Sequence, residues 1–473
     1  MAIHEECGVF GIIGTKTQNV AGISYYGLYS LQHRGQESCG IVINDDGVFT
    51  CHKDLGLVGE VFTDEVLKNL PEGNMAIGHV RYGTTGGNTK SNCQPLTVNH
   101  QKGKLAVAHN GNLTNALKLR DELELTGAIF HTTSDTETIC YSITRERLQC
   151  DSIEEAVRRA TAHLEGAYSL VIMSAAKLIA VRDPHGFRPL CYGIREDGSY
   201  VVASETCALE AVSAKFVRDI EPGELIVFST ESGSVEMSSV KTAEAPKKTC
   251  IFEYIYFARP DSEIDGISVH ASRVEAGKIL AQEFPADADV VVGVPDSGID
   301  AAIGYSKQSG IPYDMGLVKN KYVGRSFIAP SQELRADTVR IKLSPIRSVI
   351  EGKRIVLIDD SIVRGTTSRK IADMLRNAGA KEIHLRISSP PFRHPCFYGV
   401  DIDSEEYLIA NHHSVEEMAE MIGVDSLGFL PLEELDKMIG SSGYCSACFD
   451  GSYPTEIPEN LRKDRFENKL SER

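Results

Sequence analysis

The segment that most limits the fold is Arg354 to Thr367. Arg354-Ile355-Val356-Leu357-Ile358 reads as a buried β-strand that runs into Asp359-Asp360. The polar turn Ser361-Ile362-Val363-Arg364-Gly365-Thr366-Thr367 follows, then a helix over Ser368 to Asn377, a stop at Gly379 and a further strand over Glu382 to Ile387. A second unit of this kind begins at Asp289, where Val290-Val291-Val292-Gly293-Val294 leads into Pro295-Asp296-Ser297-Gly298 and a helix of small residues. Strand, loop and helix in repetition predict an open parallel sheet with helices packed on it. A buried strand here delivers two adjacent carboxylates to its C-terminal edge, and the Gly/Thr loop opens a helix whose free N–H groups can cradle a phosphate. Carboxylates repel phosphate, so the pair would serve sugar hydroxyls or a Mg²⁺ ion that bridges to phosphate oxygens.

That unit accounts for less than half of the 473 residues, and the length allows about three domains of roughly 150 residues. Residues 1 to about 230 mix β-rich runs, such as Gly8 to Ile13, Leu105 to His109, Tyr168 to Met173 and Leu225 to Ser229, with helices such as Asn115 to Leu125 and Asp135 to Leu148. This is a layered α+β pattern. Ser232 to Lys248 has no apolar periodicity and is the best candidate connector. The expected boundaries are 1–6 for a leader, 7–235 for the first domain, 236–250 for the connector and 251–473 for the second domain.

Composition removes several classes of function. A formal charge of −17 disfavours a nucleic-acid backbone or an anionic membrane as the main partner. Charge is uneven, however: Lys319 to Arg386 holds 15 Lys/Arg against 7 Asp/Glu, so anions would bind at the loops of the parallel sheet. No apolar run reaches the ~18 residues that span a bilayer. Met1 to Glu6 lacks the basic and apolar regions of a signal peptide, so the expected location is the cytoplasm. The 12 cysteines should then be mostly reduced thiols, with any clustered subset acting as metal ligands or catalysts. Lys319 to Arg325 is basic with one aromatic, Tyr322, and reads as a lid over a charged substrate or as an exposed basic loop.

Cys7-Gly8-Val9-Phe10-Gly11 gains meaning from four further motifs. They are Gln32-His33-Arg34-Gly35-Gln36-Glu37, His79-Val80-Arg81-Tyr82-Gly83-Thr84-Thr85-Gly86, Ala108-His109-Asn110-Gly111-Asn112 and Thr133-Ser134-Asp135-Thr136-Glu137. In this order they resemble the class II glutamine amidotransferases, whose nucleophile is an N-terminal cysteine. The resemblance implies that Cys7 attacks glutamine, that Asn110 and Gly111 form an oxyanion hole, and that Arg81 and Asp135 grip the α-carboxylate and α-ammonium. A thiol beside a free α-amine carries its own general base. The nitrogen of Cys7 is an amide in the encoded chain, so Met1 to Glu6 would have to be removed as a propeptide.

The Asp359-Asp360 loop in turn resembles the phosphoribosyl-pyrophosphate (PRPP) loop of type I phosphoribosyltransferases. Together the two halves resemble the amidophosphoribosyltransferase family, of the first step of de novo purine synthesis. The fold so implied is α+β followed by α/β: an αββα sandwich of the N-terminal nucleophile hydrolase type, then a type I phosphoribosyltransferase parallel sheet with flanking helices. It implies Ser297, Asp359 and Asp360 at Mg²⁺, Ser361, Val363, Arg364, Gly365, Thr366 and Thr367 around the 5-phosphate, and Lys319 and Tyr322 over the substrate. Tyr82 is the candidate link between glutamine and the second site. In the propeptide-bearing subgroup four cysteines hold a four-iron, four-sulfur cluster, and the matching positions are Cys250, Cys396, Cys445 and Cys448. Cys445-Ser446-Ala447-Cys448 alone would fit a zinc site or a redox dithiol equally well. The family further implies purine nucleotides as feedback inhibitors and a homotetramer. The competing reading is a regulator that binds PRPP or nucleotides and has lost catalysis. The set Cys7, Arg81, Asn110 and Asp135 argues against it, since a sensor has no use for an ammonia source.

Overall fold

The computed structural model describes residues 7–83, 87–320, 322, 342–400, 402 and 404–457, and the account below is of these residues. Met1 to Glu6, Thr84 to Gly86, and the Lys321 and Val323 to Arg325 part of the expected lid lie outside them.

The first unit is two antiparallel sheets face to face, with helices on both outer surfaces. One sheet has seven strands, in the order Ala214–Asp219, Cys191–Arg195, Tyr200–Ala203, Gly8–Gln18, Gly73–Arg81, Ser38–Asp45 and Val48–Leu55. The other has six: Glu236–Lys241, Glu224–Ser229, Lys177–Arg182, Gly166–Met173, Gly103–Leu113 and Leu96–His100. Alternation along Gly8–Gln18 shows why the layers form. Val9 and Ile13 enter the core between the sheets with Val42, Ile77, Val171 and Phe228, whereas Phe10 and Ile12 face outward under the helix Val20–Ser30. Gly11 lies between the sheets, where a Cβ would come within 2.7 Å of Val171. Helices Asp135–Gln149 and Ile153–Thr161 cover the six-stranded sheet through Ile139, Ile143 and Val157.

The connector reading differs from the structure at one place. Glu236–Lys241 is an edge strand, paired in antiparallel register with Glu224–Ser229 and exposed along its whole length. A strand with neither face buried has no alternating apolar pattern to read.

The second unit is a four-stranded sheet ordered Val290–Gly293, Arg354–Asp359, Glu382–Ile387 and Ser426–Phe429, with every pair parallel. Val290, Val292, Ile355 and Leu357 face the helix Thr366–Asn377, and Val291, Val356 and Ile358 face Val269–Glu283 and Ile299–Ser309. Helices Val269–Glu283 and Ile299–Ser309 touch backbone to backbone: a Cβ on Gly277 would lie 1.8 Å from the carbonyl oxygen of Ala301. Only glycine permits that approach. Between the two units, Glu253–Phe257 forms a π-helical turn.

Candidate active site

Cys7 immediately precedes the strand Gly8–Gln18, buried at 7% exposure. The pairing of Gly8 with Val80 brings Cys7 beside the end of Gly73–Arg81, and its thiol donates to the Tyr82 carbonyl at 3.4 Å. His79, one sheet residue back, reaches across the sandwich so that Nε2 meets the His109 carbonyl at 2.9 Å. Burial holds the His79 imidazole down at about 3, so this ring is neutral and donates to that carbonyl. The strand Gly103–Leu113 is thereby tied to the strand end beside Cys7, with Asn110 next in line.

Asn110 has 0% exposure, and among the described residues neither its Nδ2 nor its Oδ1 has a hydrogen-bond partner. A buried amide without partners is costly, and it marks a group held ready for something that arrives later. Gly111 has φ +137°, and a Cβ there would lie 2.2 Å from the Ala167 carbonyl oxygen. Leu113 N–H donates to Asp135 Oδ2 at 3.1 Å, and His109 Nδ1 lies 3.4 Å from Asp135 Oδ1. Asp135 is the first residue of Asp135–Gln149, capped by Ser134, where a helix N-terminus favours negative charge. Burial opposes its ionised form, but His109, the Leu113 amide and Arg81 outweigh that and hold the carboxyl below its usual range. Glu37 takes the Gly83 N–H at 2.8 Å, fixing the turn after Arg81. The described residues thus bring a thiol, an amide, a carboxylate and a guanidinium to adjoining elements of this half.

Arg34 is central to this half, although the sequence showed only that it lies in a shared motif. Its Nε donates to the Cys7 carbonyl at 3.0 Å, and its two terminal nitrogens bind Glu205 Oε1 at 2.5 Å and Glu253 Oε1 at 2.6 Å. Burial disfavours the guanidinium, yet Glu253 and Glu205 raise its pKa further above the ordinary arginine value. Glu205 also receives His33 at 2.7 Å, the Arg259 amide at 3.0 Å and the Ser262 hydroxyl at 2.6 Å. Glu253 belongs to the π-helical turn, so one arginine joins the Cys7 backbone to the second unit.

At the C-terminal edge of the parallel sheet, Asp360 Oδ1 accepts from Ser297 Oγ at 2.6 Å and Oδ2 from Ser361 Oγ at 2.5 Å. Asp359 Oδ1 accepts the Asp360 N–H at 3.0 Å. Burial, and then the charge of Asp360, push the Asp359 carboxyl well above the usual range, an arrangement that a divalent cation would relieve. Gly365, at φ +72°, begins the helix Thr366–Asn377, and its left-handed turn leaves the first N–H groups of that helix open to an anion. Arg364 stacks on the Tyr407 ring at 4.3 Å, and the Val363 carbonyl accepts Ile409 N–H at 3.0 Å. Lys319 Nζ meets Asp296 Oδ2 at 2.7 Å on the loop after the first parallel strand, and Tyr322 is 99% exposed.

The four cysteines from distant positions also meet. Cys250 and Cys445 are register partners in a two-stranded parallel ladder. The Cys448 carbonyl accepts the N–H groups of Arg393 and His394, and the Cys396 sulfur accepts Tyr398 N–H at 3.4 Å. All four are buried, and Cys448 is pushed well up by burial and then by Cys396, Cys250 and Cys445. Burial and Cys396 push Cys445 up to about 12. Among the described residues no group of three or more His, Cys, Asp or Glu is placed to hold a single metal ion. Four buried thiols are the donor type that an iron-sulfur cluster would take.

Comparison with known proteins agrees with both halves. A glutamine amidotransferase domain family matches residues 79–211, and a phosphoribosyl transferase domain family matches 268–388. The amidophosphoribosyltransferase of Bacillus subtilis is 52% identical over 462 residues, covering 96% of this chain and 95% of the relative. That of Methanocaldococcus jannaschii is 52% identical over 464 residues, covering 95% and 98%. The solved structure of B. subtilis glutamine PRPP amidotransferase, complexed with ADP and GMP, superposes with a TM-score of 0.89 at 51% identity, covering 96% of this chain and 98% of that one. With identity of this order along nearly its whole length, the chain belongs to the amidophosphoribosyltransferase family.

Proposed function

We propose that the chain is a two-site enzyme that hydrolyses glutamine at Cys7 and passes the ammonia to C1 of PRPP, giving 5-phosphoribosylamine, pyrophosphate and glutamate. The observation that carries this is the joining, through Arg34 and Glu253, of the Cys7 strand to the unit that bears the Asp359-Asp360 turn within one chain. Once residues 1–6 are removed, the α-amine of Cys7 takes the thiol proton and the thiolate adds to the glutamine side-chain carbonyl. Asn110 Nδ2 and the Gly111 N–H hold the oxyanion, Arg81 and Asp135 hold the substrate's α-groups, and the amine returns the proton to the departing ammonia. Water then releases glutamate from the thioester at Cys7.

Free ammonia in neutral water is mostly protonated and is then no nucleophile, so transfer within the protein, past Tyr82, keeps it reactive. At the second site Ser361 to Thr367 orient the 5-phosphate, and Lys319 and Tyr322 would lie over the substrate. Mg²⁺ held by Asp359, Asp360 and Ser297 would supply charge neutralisation for the leaving pyrophosphate. Cys250, Cys396, Cys445 and Cys448 would hold a four-iron, four-sulfur cluster whose contribution is structural, since the reaction moves no electrons between substrates. The expected setting is a cytoplasmic homotetramer, and inhibition by purine nucleotides is supported by the ADP and GMP in the B. subtilis structure. Among the described residues no helix is long and apolar enough to cross a membrane.

The test uses anaerobically purified protein with its N-terminus shown to be Cys7. Glutamine, PRPP and Mg²⁺ should release glutamate and pyrophosphate in near-equal amounts, each release requiring both substrates. PRPP binding with neither product formed would replace the enzyme by a sensor.

A further inference from the structure

We infer that Asn112 is a positioning residue for glutamine hydrolysis: its side-chain amide fixes the strand that carries Asn110 and Gly111 to the Cys396 loop of the transferase unit. The inference rests on the reading of Cys7 and Asn110 as a glutaminase site.

Asn112 Nδ2 donates to the Phe397 carbonyl at 2.8 Å, across 285 residues of sequence and from one unit to the other. Both residues are 6% exposed. A leucine of similar volume could pack at such a boundary without desolvating an amide, so the amide is explained by the buried carbonyl it satisfies. Its neighbours in sequence are the groups that handle glutamine. Asn110 and Gly111 precede it, and Leu113, which follows, donates to Asp135 at 3.1 Å. Movement of Asn112 would therefore move the oxyanion donors and the carboxylate anchor together.

The acceptor is held as firmly as the donor. Cys396 N–H donates to the Ile402 carbonyl at 2.9 Å, and Tyr398 stacks on Phe187 with ring centroids 4.1 Å apart. Arg188 Nη2 donates to the Tyr398 carbonyl at 2.8 Å. Thirteen residues beyond Cys396, Ile409 N–H donates to the Val363 carbonyl in the phosphate loop at 3.0 Å. One stretch of chain thus touches the strand of the first site and the loop of the second, and Asn112 is its side-chain tie to the former.

The experiment compares the anaerobically prepared holoenzyme with its Asn112→Leu and Asn112→Asp variants, using glutamine or a high ammonium concentration as the nitrogen source. Loss of the tie should lower kcat for glutamate release about tenfold or more while KM for glutamine stays within about threefold, because oxyanion donors act in the transition state. Ammonium-driven pyrophosphate release should stay within about twofold of the parent. A generally structural role would instead lower both nitrogen sources in proportion, and that result, or unchanged glutamine kinetics, overturns the inference. Hydrogen exchange on the unsubstituted enzyme tests the same point whether or not the variants fold. On addition of PRPP and Mg²⁺, protection should rise at residues 110–113 together with 396–409, and protection confined to 361–367 would refute it. Failure of the parent enzyme to release either product would be a different result, against the functional reading itself.

Discussion

Gly111→Ala is the substitution whose effect follows most directly from the geometry. At φ +137° an alanine is held in a region that glycine occupies freely and other residues occupy at a cost of about 1–3 kcal/mol. Its Cβ would also lie 2.2 Å from the Ala167 oxygen, 2.6 Å from the Ala167 carbonyl carbon and 3.1 Å from the Tyr168 nitrogen. All three are backbone atoms of the partner strand, so relief requires the strands Gly103–Leu113 and Gly166–Met173 to part by about 1 Å at that point, enough to cost about 10²-fold in a reaction that depends on alignment. Gly103 is the internal control: it has φ +124° on the same strand, but its Cβ would meet nothing within 4 Å. Steady-state glutamate release should fall about 10²-fold in Gly111→Ala and little in Gly103→Ala, with ammonium-driven pyrophosphate release retained in both. If the two variants hydrolyse glutamine at similar rates, the close approach at Ala167 does not position the oxyanion donors and the reasoning fails.

Other outcomes follow from the same structure. Cys7→Ala should abolish glutamine-driven turnover and leave ammonium-driven turnover, and loss of both would show that Cys7 also supports the transferase unit. Asp360→Asn weakens the acceptor of both serine hydroxyls and should cut pyrophosphate release with either nitrogen source, as chelation of Mg²⁺ should; unimpaired release would remove the acidic pair from the site. Cys448→Ser should lower bound iron and acid-labile sulfide and reduce the melting temperature, and iron content equal to the parent's would dismiss the cluster. Burial and Asp265 push Asp219 up to about 7, so the folded state keeps a proton that the unfolded state releases near pH 4. The stability it contributes is therefore full below about pH 4 and is lost as pH rises toward 7. Asp219→Asn should flatten the fall in melting temperature between about pH 4 and pH 7, and an unchanged slope would assign that fall to other groups.

What the sequence made legible was whatever is written locally. Gly8 to Ile13 alternates because its two faces enter two cores, and Arg354 to Thr367 is apolar, acidic and then glycine-turned because one β–α turn needs all three in that order. Both patterns survive in the structure nearly residue for residue. Arg34, Asn112 and Glu253 show why the remainder could not be read. Arg34 finds its carboxylates 171 and 219 residues away, and Asn112 finds its carbonyl 285 residues away, so no window of sequence contains donor and acceptor together. Arg and Glu are moreover residues that a sequence places at the surface by default, whereas both Arg34 and Glu253 are buried at the junction.

The burial of those charges is itself informative about what the junction does. A buried ion pair is a poor device for stability, because apolar residues of the same volume usually hold two surfaces together as well or better. It does discriminate sharply between correct and incorrect seating, since separating the units would leave Arg34 with Glu205 and take both Arg34 and Arg188 away from the buried Glu253. The same logic applies to Asn112 and the Phe397 carbonyl, which satisfy each other only at one relative placement of the two units. A chain that makes ammonia at one site for use at another gains from a junction with a single permitted register, because slippage there would release the product to solvent, where protonation ends its reactivity.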